Sequence, residues 1–440
     1  MSRVLVGCQG ASKTAFEVIS NPEFMSAGTA ITDCLEPERV LIGGRDTPAG
    51  RAAVESLARL YRRWVPAERV LHMGLWSSEL AKLAANAFLA QRISSINAIA
   101  ALCEETGADV EQVGHAIGTD SRIGPRFLKA GCGFGGPALQ KHVLNLVYIC
   151  ESLGLKQAAA YWQQVVDVND WVKNRFVRRV ISAMFNTIRG KRIAVLGFAY
   201  KANTTDTRDT AAIDVCRGLL LDGAKVAVYD PKVEPEQIHL DMSLPRGLLE
   251  QAGRQHTAVS LATVDVTRNA YDACRGAHAV CVLTDWPEFR LLNFQAIYSS
   301  MMKPAFIFDG RNLLDHAPLR AIGFVVYGQG KPLDAFLTQR LGEDDWRPQS
   351  TTAADAAAAR DTLADLVLGR DDDAPGPSSS GGAQGSVGSS AAAAVARASA
   401  GGAGEAVGGA EAKAAVAAGR GDAASTAAAE DDGTEGRGAG

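Results

Sequence analysis

Lys191-Arg192-Ile193-Ala194-Val195-Leu196-Gly197 is the stretch on which the fold turns. A short aliphatic run closed by a glycine predicts a buried strand. A helical pattern follows near residues 210–222, and residues 225–230 form a second strand that ends on the acidic Asp230. Residues 279–284, 305–309 and 324–327 repeat the theme. Strands alternating with helices predict a doubly wound parallel sheet, whose ligands sit beyond the carboxyl ends of the strands. Only Gly197 stands in place after the first strand, so this is not a dinucleotide fingerprint, although the sheet could hold a nucleotide.

Upstream of the sheet, Gly131-Cys132-Gly133-Phe134-Gly135-Gly136-Pro137-Ala138-Leu139-Gln140-Lys141-His142 runs into an amphipathic helix. Four glycines in six positions let a ligand approach the backbone, and Pro137 suits the first turn of a helix. Such a turn reads equally as a tight connection between helices or as a seat for an anion or thiolate. Residues 77–105 carry the longest helical signal in the chain, with Ser77 and Ser78 as caps and a length of about 40 Å at 1.5 Å per residue. Lys82 and Asn86 lie four apart on one face of it, where a lysine is either a solvated charge or a catalytic one. Residues 16–20 predict a short buried strand, and Glu23 follows in Asn21-Pro22-Glu23-Phe24, as a solvated turn residue or a carboxylate facing a cleft. Helices are expected over 47–64 and 109–117, a strand over 69–72, and two helices over 137–186.

The chain has 440 residues, 47% of them hydrophobic, enough for a sizeable core and several domains. The divisions expected are 1–75, 76–186 and 187–335, with 351–440 a low-complexity disordered tail of Ala, Gly, Ser and Asp in which residues 351–368 form a transient helix. A net charge of −4 without a long basic run argues against nucleic acid or an anionic membrane as partner. The eight cysteines are scattered, without a paired or His-clustered spacing, which argues against a disulfide scaffold and a metal site. Neither a signal peptide nor a spanning segment is expected, and a reducing cytoplasm fits best.

Several of these stretches resemble the UDP-glucose 6-dehydrogenases of the UDP-glucose/GDP-mannose dehydrogenase family: residues 21–30, 39–44, 83–95, 131–142, 198–208 and 308–311. The resemblance covers roughly residues 17–335. It implies NAD as cofactor, UDP-glucose as substrate, and a two-step oxidation of the C6 alcohol to UDP-glucuronate through a cysteine adduct. It implies an α/β fold: the remnant of an N-terminal NAD-binding domain, a long central helix with a helical dimerisation domain, and a C-terminal Rossmann-like UDP-binding domain.

Residue by residue, Glu23 matches the family's general base, Lys82 the lysine that stabilises developing negative charge, and Asn86 a neighbouring donor. Arg122 matches an arginine that reaches across a dimer to the neighbour's substrate, while Lys129, Gly133, Phe134 and Gly135 line the sugar nucleotide. Tyr200, Lys201 and Arg311 complete the UDP-sugar pocket, and Lys141 and Arg208 reach toward the cofactor. The departures fall at the chemistry. Ala138 occupies the place of the nucleophilic cysteine, Ala27 that of a second glutamate and His142 that of an aspartate; Ala202, Asn203 and Thr205 replace the usual Lys, Asp and Gly. Cys132 reads as a small buried residue.

A phosphate-cradling fingerprint takes roughly 30 residues of strand, glycine turn, helix and strand, and residues 1–16 do not supply it. Two classes of function follow. One is an NAD-dependent dehydrogenase, inactive as written and completed by a longer reading of the gene. The other is a non-catalytic UDP-sugar-binding or assembly protein, a homodimer or a partner of a full-length relative.

Overall fold

The computed structural model describes residues 16–243 and 264–333. Residues 1–15 and the stretch from 334, including the tail and the helix expected at 351–368, lie outside the described residues.

The described residues begin with helix α1 (Ala30–Leu35), strand β1 (Val40–Gly44), helix α2 (Pro48–Tyr61) and strand β2 (Val70–Gly74). The two strands pair in parallel, with α2 as their crossover. Thr47 starts α2 by accepting the Gly50 amide on its hydroxyl at 3.0 Å, with Pro48 at the first helical position. Val40, Ile42, Val54, Ala58, Val65 and Val70 form a small core beneath. The strand expected over 16–20 is reduced to one antiparallel bridge between Ser20 and Gly43. Phe16 is 47% exposed, and Pro22 interrupts the ladder two residues later, so the segment lacks both the cover and the donors that a strand needs.

Helix α3 (Leu75–Thr106) spans 32 residues, about 48 Å, and starts earlier than expected. Gly74 is its cap position, so Ser77 and Ser78 are not caps. Ser78 is fully buried and donates its hydroxyl to the Ser20 carbonyl at 3.3 Å. Asp109 caps α4 (Val110–Gly118) by accepting the Glu111 amide at 2.8 Å. Helices α5 (Leu139–Ser152) and α6 (Lys156–Ala183) follow. Pro137 falls outside α5, because the glycine turn holds the chain until Ala138. The small faces of Ala87 and Ala90 let α3 approach Phe134, Val143, Val165 and Val166, and Ser94 donates to the Val165 carbonyl at 2.7 Å.

The second half runs β3 (Arg192–Leu196), α7 (Ala211–Leu221), β4 (Lys225–Tyr229), α8 (Pro235–Ser243), β5 (Asp265–Val266), α9 (Ala270–Cys274), β6 (Ala279–Val282), α10 (Phe294–Ser300), β7 (Phe306–Asp309), α11 (His316–Ile322) and β8 (Val325–Gly328). Among the described residues its six strands are all parallel, in the order β5-β4-β3-β6-β7-β8. Strands buried on both faces read as continuous apolar runs, which is why the sequence signals them clearly. The winding direction reverses between β3 and β6, and the crevice of a doubly wound fold opens at such a reversal.

Candidate functional site

The glycine turn from 131 to 136 lies over that reversal. The Cys132 amide donates to the Gly310 carbonyl at 2.7 Å, just beyond β7. Arg311 donates Nε to the Leu283 carbonyl beyond β6 at 2.7 Å, and Nη1 to the Gly133 carbonyl at 3.1 Å. On the other flank the Gly136 amide donates to the Arg208 carbonyl at 2.8 Å. The Tyr200 ring presses against Gly136, where a Cβ would overlap it. Gly131, Gly133, Gly135 and Arg311 thus gather at the carboxyl ends of β3, β6 and β7.

Two acids at strand ends shape this rim. Asp230, after β4, accepts the amides of Phe198 at 2.7 Å and Ala199 at 2.9 Å and the Trp286 indole at 3.1 Å. Its other oxygen takes the Lys232 and Val233 amides. With both oxygens occupied and the residue buried, it anchors a loop instead of binding a ribose. Asp309, after β7, holds the Arg311 and Leu314 amides and His316. Burial raises its carboxyl, but His316 and the Leu313 and Leu314 amides outweigh this and keep it below the ordinary range.

The predicted catalytic residues meet at the junction of α3 and α5. The Lys82 ammonium donates to the Glu23 backbone carbonyl and lies 3.4 Å from its carboxylate. Glu23 also accepts the Met25 amide at 2.7 Å, so its side chain is folded back on its own turn. One helical turn along, the Asn86 amide nitrogen lies 2.6 Å from His142 Nδ1. Ala138 stands at the foot of α5, where it accepts the His142 amide at 2.9 Å through its backbone. Burial, then Lys82 and Lys141, lower the His142 pKa, with Glu23 opposing them.

The remaining predicted side chains are engaged elsewhere or exposed, and of these Lys141 adjoins the cluster through His142. Arg122 is exposed and forks onto Asp120 of its own turn, at 3.0 and 2.6 Å. Arg208 does the same with Asp206. Lys129 and Lys141 are exposed, whereas Lys201 is half-buried with its ammonium 5.8 Å from the Tyr200 ring centroid. Phe134 is not free to line a cleft through its ring, which is 5% exposed and packed among the helices. Cys132 is fully buried, and burial raises its thiol above the ordinary value, the state of an inert thiol.

Asn97 and Asn169 were missed. Asn97 accepts the Gly131 amide at 2.8 Å. Asn169 brackets Phe134, accepting its amide at 2.8 Å and donating to its carbonyl at 3.1 Å. Next to it, buried Lys173 bridges Asp170 and Asp214 at 2.9 and 3.0 Å and packs against Gly133. The available signal was an amide side chain inside an apolar helical stripe, Val165 and Val166 on one side and Val172 on the other. Asn169→Ala leaves the Phe134 amide and carbonyl buried without partners, a cost of about 1–3 kcal/mol. Urea unfolding of wild type and variant checks it, and an unchanged midpoint would refute it.

A dinucleotide pyrophosphate needs a glycine turn between strand and helix. Between β1 and α2 stand Arg45, Asp46 and Thr47, and Gly50 is closed off by the Arg45 carbonyl. The junction between β1 and α2 therefore does not fit that group.

The protein-family comparison matches the NAD-binding domain of the UDP-glucose/GDP-mannose dehydrogenase family over residues 3–65, the central domain over 76–171 and the UDP-binding domain over 194–316. UDP-glucose 6-dehydrogenase 1 of Oryza sativa subsp. japonica is 57% identical over 330 residues, 74% of this chain and 69% of the relative. UDP-glucose 6-dehydrogenase 1 of Arabidopsis thaliana is 57% identical over 325 residues, 73% and 68% of the two chains. The UDP-glucose dehydrogenase structure from Pyrobaculum islandicum superposes with a TM-score of 0.58 at 29% identity, covering 73% of this chain and 67% of that one. A turn clasped onto the reversal of a parallel sheet, three successive domain matches and relatives at 57% identity agree: this chain belongs to the UDP-glucose/GDP-mannose dehydrogenase family.

Proposed function

We propose that this chain binds a UDP-hexose of the UDP-glucose type at the carboxyl ends of the sheet strands, beside the glycine turn, and does not carry that sugar through the covalent stage of oxidation. The first part is supported by the clasp of Arg311, Gly310 and Tyr200 on the turn, beside the segment matched to a UDP-binding domain. The second rests on Ala138. A methyl group has no lone pair with which to form an adduct on an aldehyde, and the route implied by the resemblance requires one. Cys132 does not substitute, being walled in behind the turn. Ala27 removes a further carboxylate. The chain is thereby a UDP-sugar holder on a dehydrogenase scaffold.

Titration calorimetry is expected to give micromolar or weaker binding of UDP and UDP-glucose. Absorbance of a mixture with NAD and UDP-glucose is expected to stay flat at the NADH band, and steady NADH production would overturn the second part. Ala138→Cys alone is expected not to restore turnover, because Ala27 remains. Turnover in that variant would show that the thiol was the whole deficit.

A further inference from the structure

The glycine turn is gripped from two sides. On the sheet side it meets Gly310, Arg311, the Tyr200 ring and the backbone of Asp209. On the helix side it meets two carboxamides. Asn97 of α3 accepts the Gly131 amide at 2.8 Å, and Asn169 of α6 accepts the Phe134 amide and donates to the Phe134 carbonyl. Both residues are fully buried. A turn with glycines at 131, 133, 135 and 136, of which Gly133 and Gly136 stand at φ +110 and +92, has little conformational preference of its own. Its shape has to be imposed by its neighbours.

Asn97 is a poor choice of residue for stability alone. Its Nδ2 is buried without a hydrogen-bond partner among the described residues, in a helix whose neighbouring Ile96 and Ala100 pack into an apolar cluster. An unmet buried donor is costly. An aliphatic side chain at 97 would remove that unmet donor and leave the Gly131 amide unmet in its place, so the two effects oppose each other. What the carboxamide supplies is the position of Gly131, at which a Cβ would lie 3.1 Å from the Gly310 carbonyl oxygen and 3.3 Å from the Arg311 guanidinium. We propose that Asn97 and Asn169 are positioning residues for the UDP-sugar: they hold the glycine turn from behind in the one shape that the ligand meets at the strand ends. The proposal rests on the UDP-sugar reading above and adds to it two side chains that act through the turn.

The test is titration calorimetry of the full chain with UDP, paired with urea unfolding, on wild type, Asn97→Leu, Asn97→Asp, Asn169→Ala and Ser94→Ala. Ser94 lies on the same helix and donates to the Val165 carbonyl, so its variant reports loosening of the helix packing alone. A ligand that binds only the held turn loses affinity in proportion to the loss of that population. Losing one buried hydrogen bond lowers the population roughly tenfold. Asn97→Leu is therefore expected to weaken UDP about tenfold with an unfolding midpoint near that of wild type, and Asn169→Ala to weaken it at least as much. Asn97→Asp keeps an oxygen for the Gly131 amide and is expected to bind within about threefold of wild type. Ser94→Ala is expected to lower the midpoint and leave UDP affinity unchanged. Wild-type affinity in Asn97→Leu would refute the positioning role, and so would an equal loss in Ser94→Ala. Should Asn97→Leu fail to fold, Asn97→Asp decides: a loss of about tenfold there refutes the role as well. If wild type itself binds no UDP, the UDP-sugar reading falls and this inference with it.

Discussion

Glu104→Ala is expected to loosen the joint between the long helix and the sheet and to cost about 3–5 kcal/mol, because it removes the buried carboxylate with which Arg179 and Arg175 pair. Glu104 lies near the end of α3 and is 5% exposed. One oxygen accepts Arg179 at 2.6 Å and also pairs with Arg175; the other accepts the Tyr327 hydroxyl at 2.7 Å and the Gly330 amide at 2.9 Å. A single carboxylate therefore ties α3 to α6, to β8 and to the turn beyond it. Burial pushes its pKa up, but Arg179 and Arg175 outweigh burial and leave it below the ordinary value of 4.5. The sign follows from linkage. A carboxyl depressed in the fold contributes stability that is fully present above its unfolded pKa and is lost as pH falls through the lower folded value. Urea midpoints of the wild type should thus decline as pH drops from about 4.5, and Glu104→Gln should show a shallower decline over that window. Equal slopes would mean that Glu104 carries none of the acid sensitivity.

Gly135→Ala is expected to weaken UDP binding at least tenfold, roughly 1.4 kcal/mol or more, while leaving the sheet folded. A Cβ at 135 would overlap the Asp209 carbonyl and lie 2.9 Å from the Thr210 Cα. Both are backbone, ahead of α7, so no side chain can swing aside and the turn must lift from the rim. Gly154 offers the contrast. It has φ +74 and nothing within 4 Å of the added carbon, so Gly154→Ala costs only the left-handed backbone strain, about 1 kcal/mol. Calorimetry with UDP on both variants separates a steric loss at the turn from general destabilisation. Wild-type affinity in Gly135→Ala would detach the turn from the site.

The candidate site was legible as positions that the fold brings near one another, less as contacts. The motif around Glu23 and the i, i+4 pair Lys82 and Asn86 pointed to a common cleft, and the fold brings them together at one end of α3. The glycine turn was legible as a close approach, but not what approaches it: the backbone of Asp209, the Tyr200 ring and Lys173. Asn169 lies 35 positions beyond the residue it brackets, and no local period reveals such a pairing. Ser77 and Ser78 misled because hydroxyls before an apolar run signal a cap, whereas here the start of α3 is set by β2 feeding directly into it.

Local chemistry determined the strands and helices of this protein, because aliphatic runs closed by glycine or aspartate and long proline-free periodic stretches have few other ways to bury their apolar faces. The absence of a nucleophile at Ala138 was likewise written in the residue itself. Only the tertiary structure decided which polar groups are spent and which are free to meet a ligand. Asp230 is spent on four backbone amides and the Trp286 indole, while Arg122 folds back onto Asp120 and Asn86 meets His142 across 56 positions of sequence. Hydrogen-bond capacity is finite at each atom, and how it is shared out depends on neighbours brought together from distant parts of the chain.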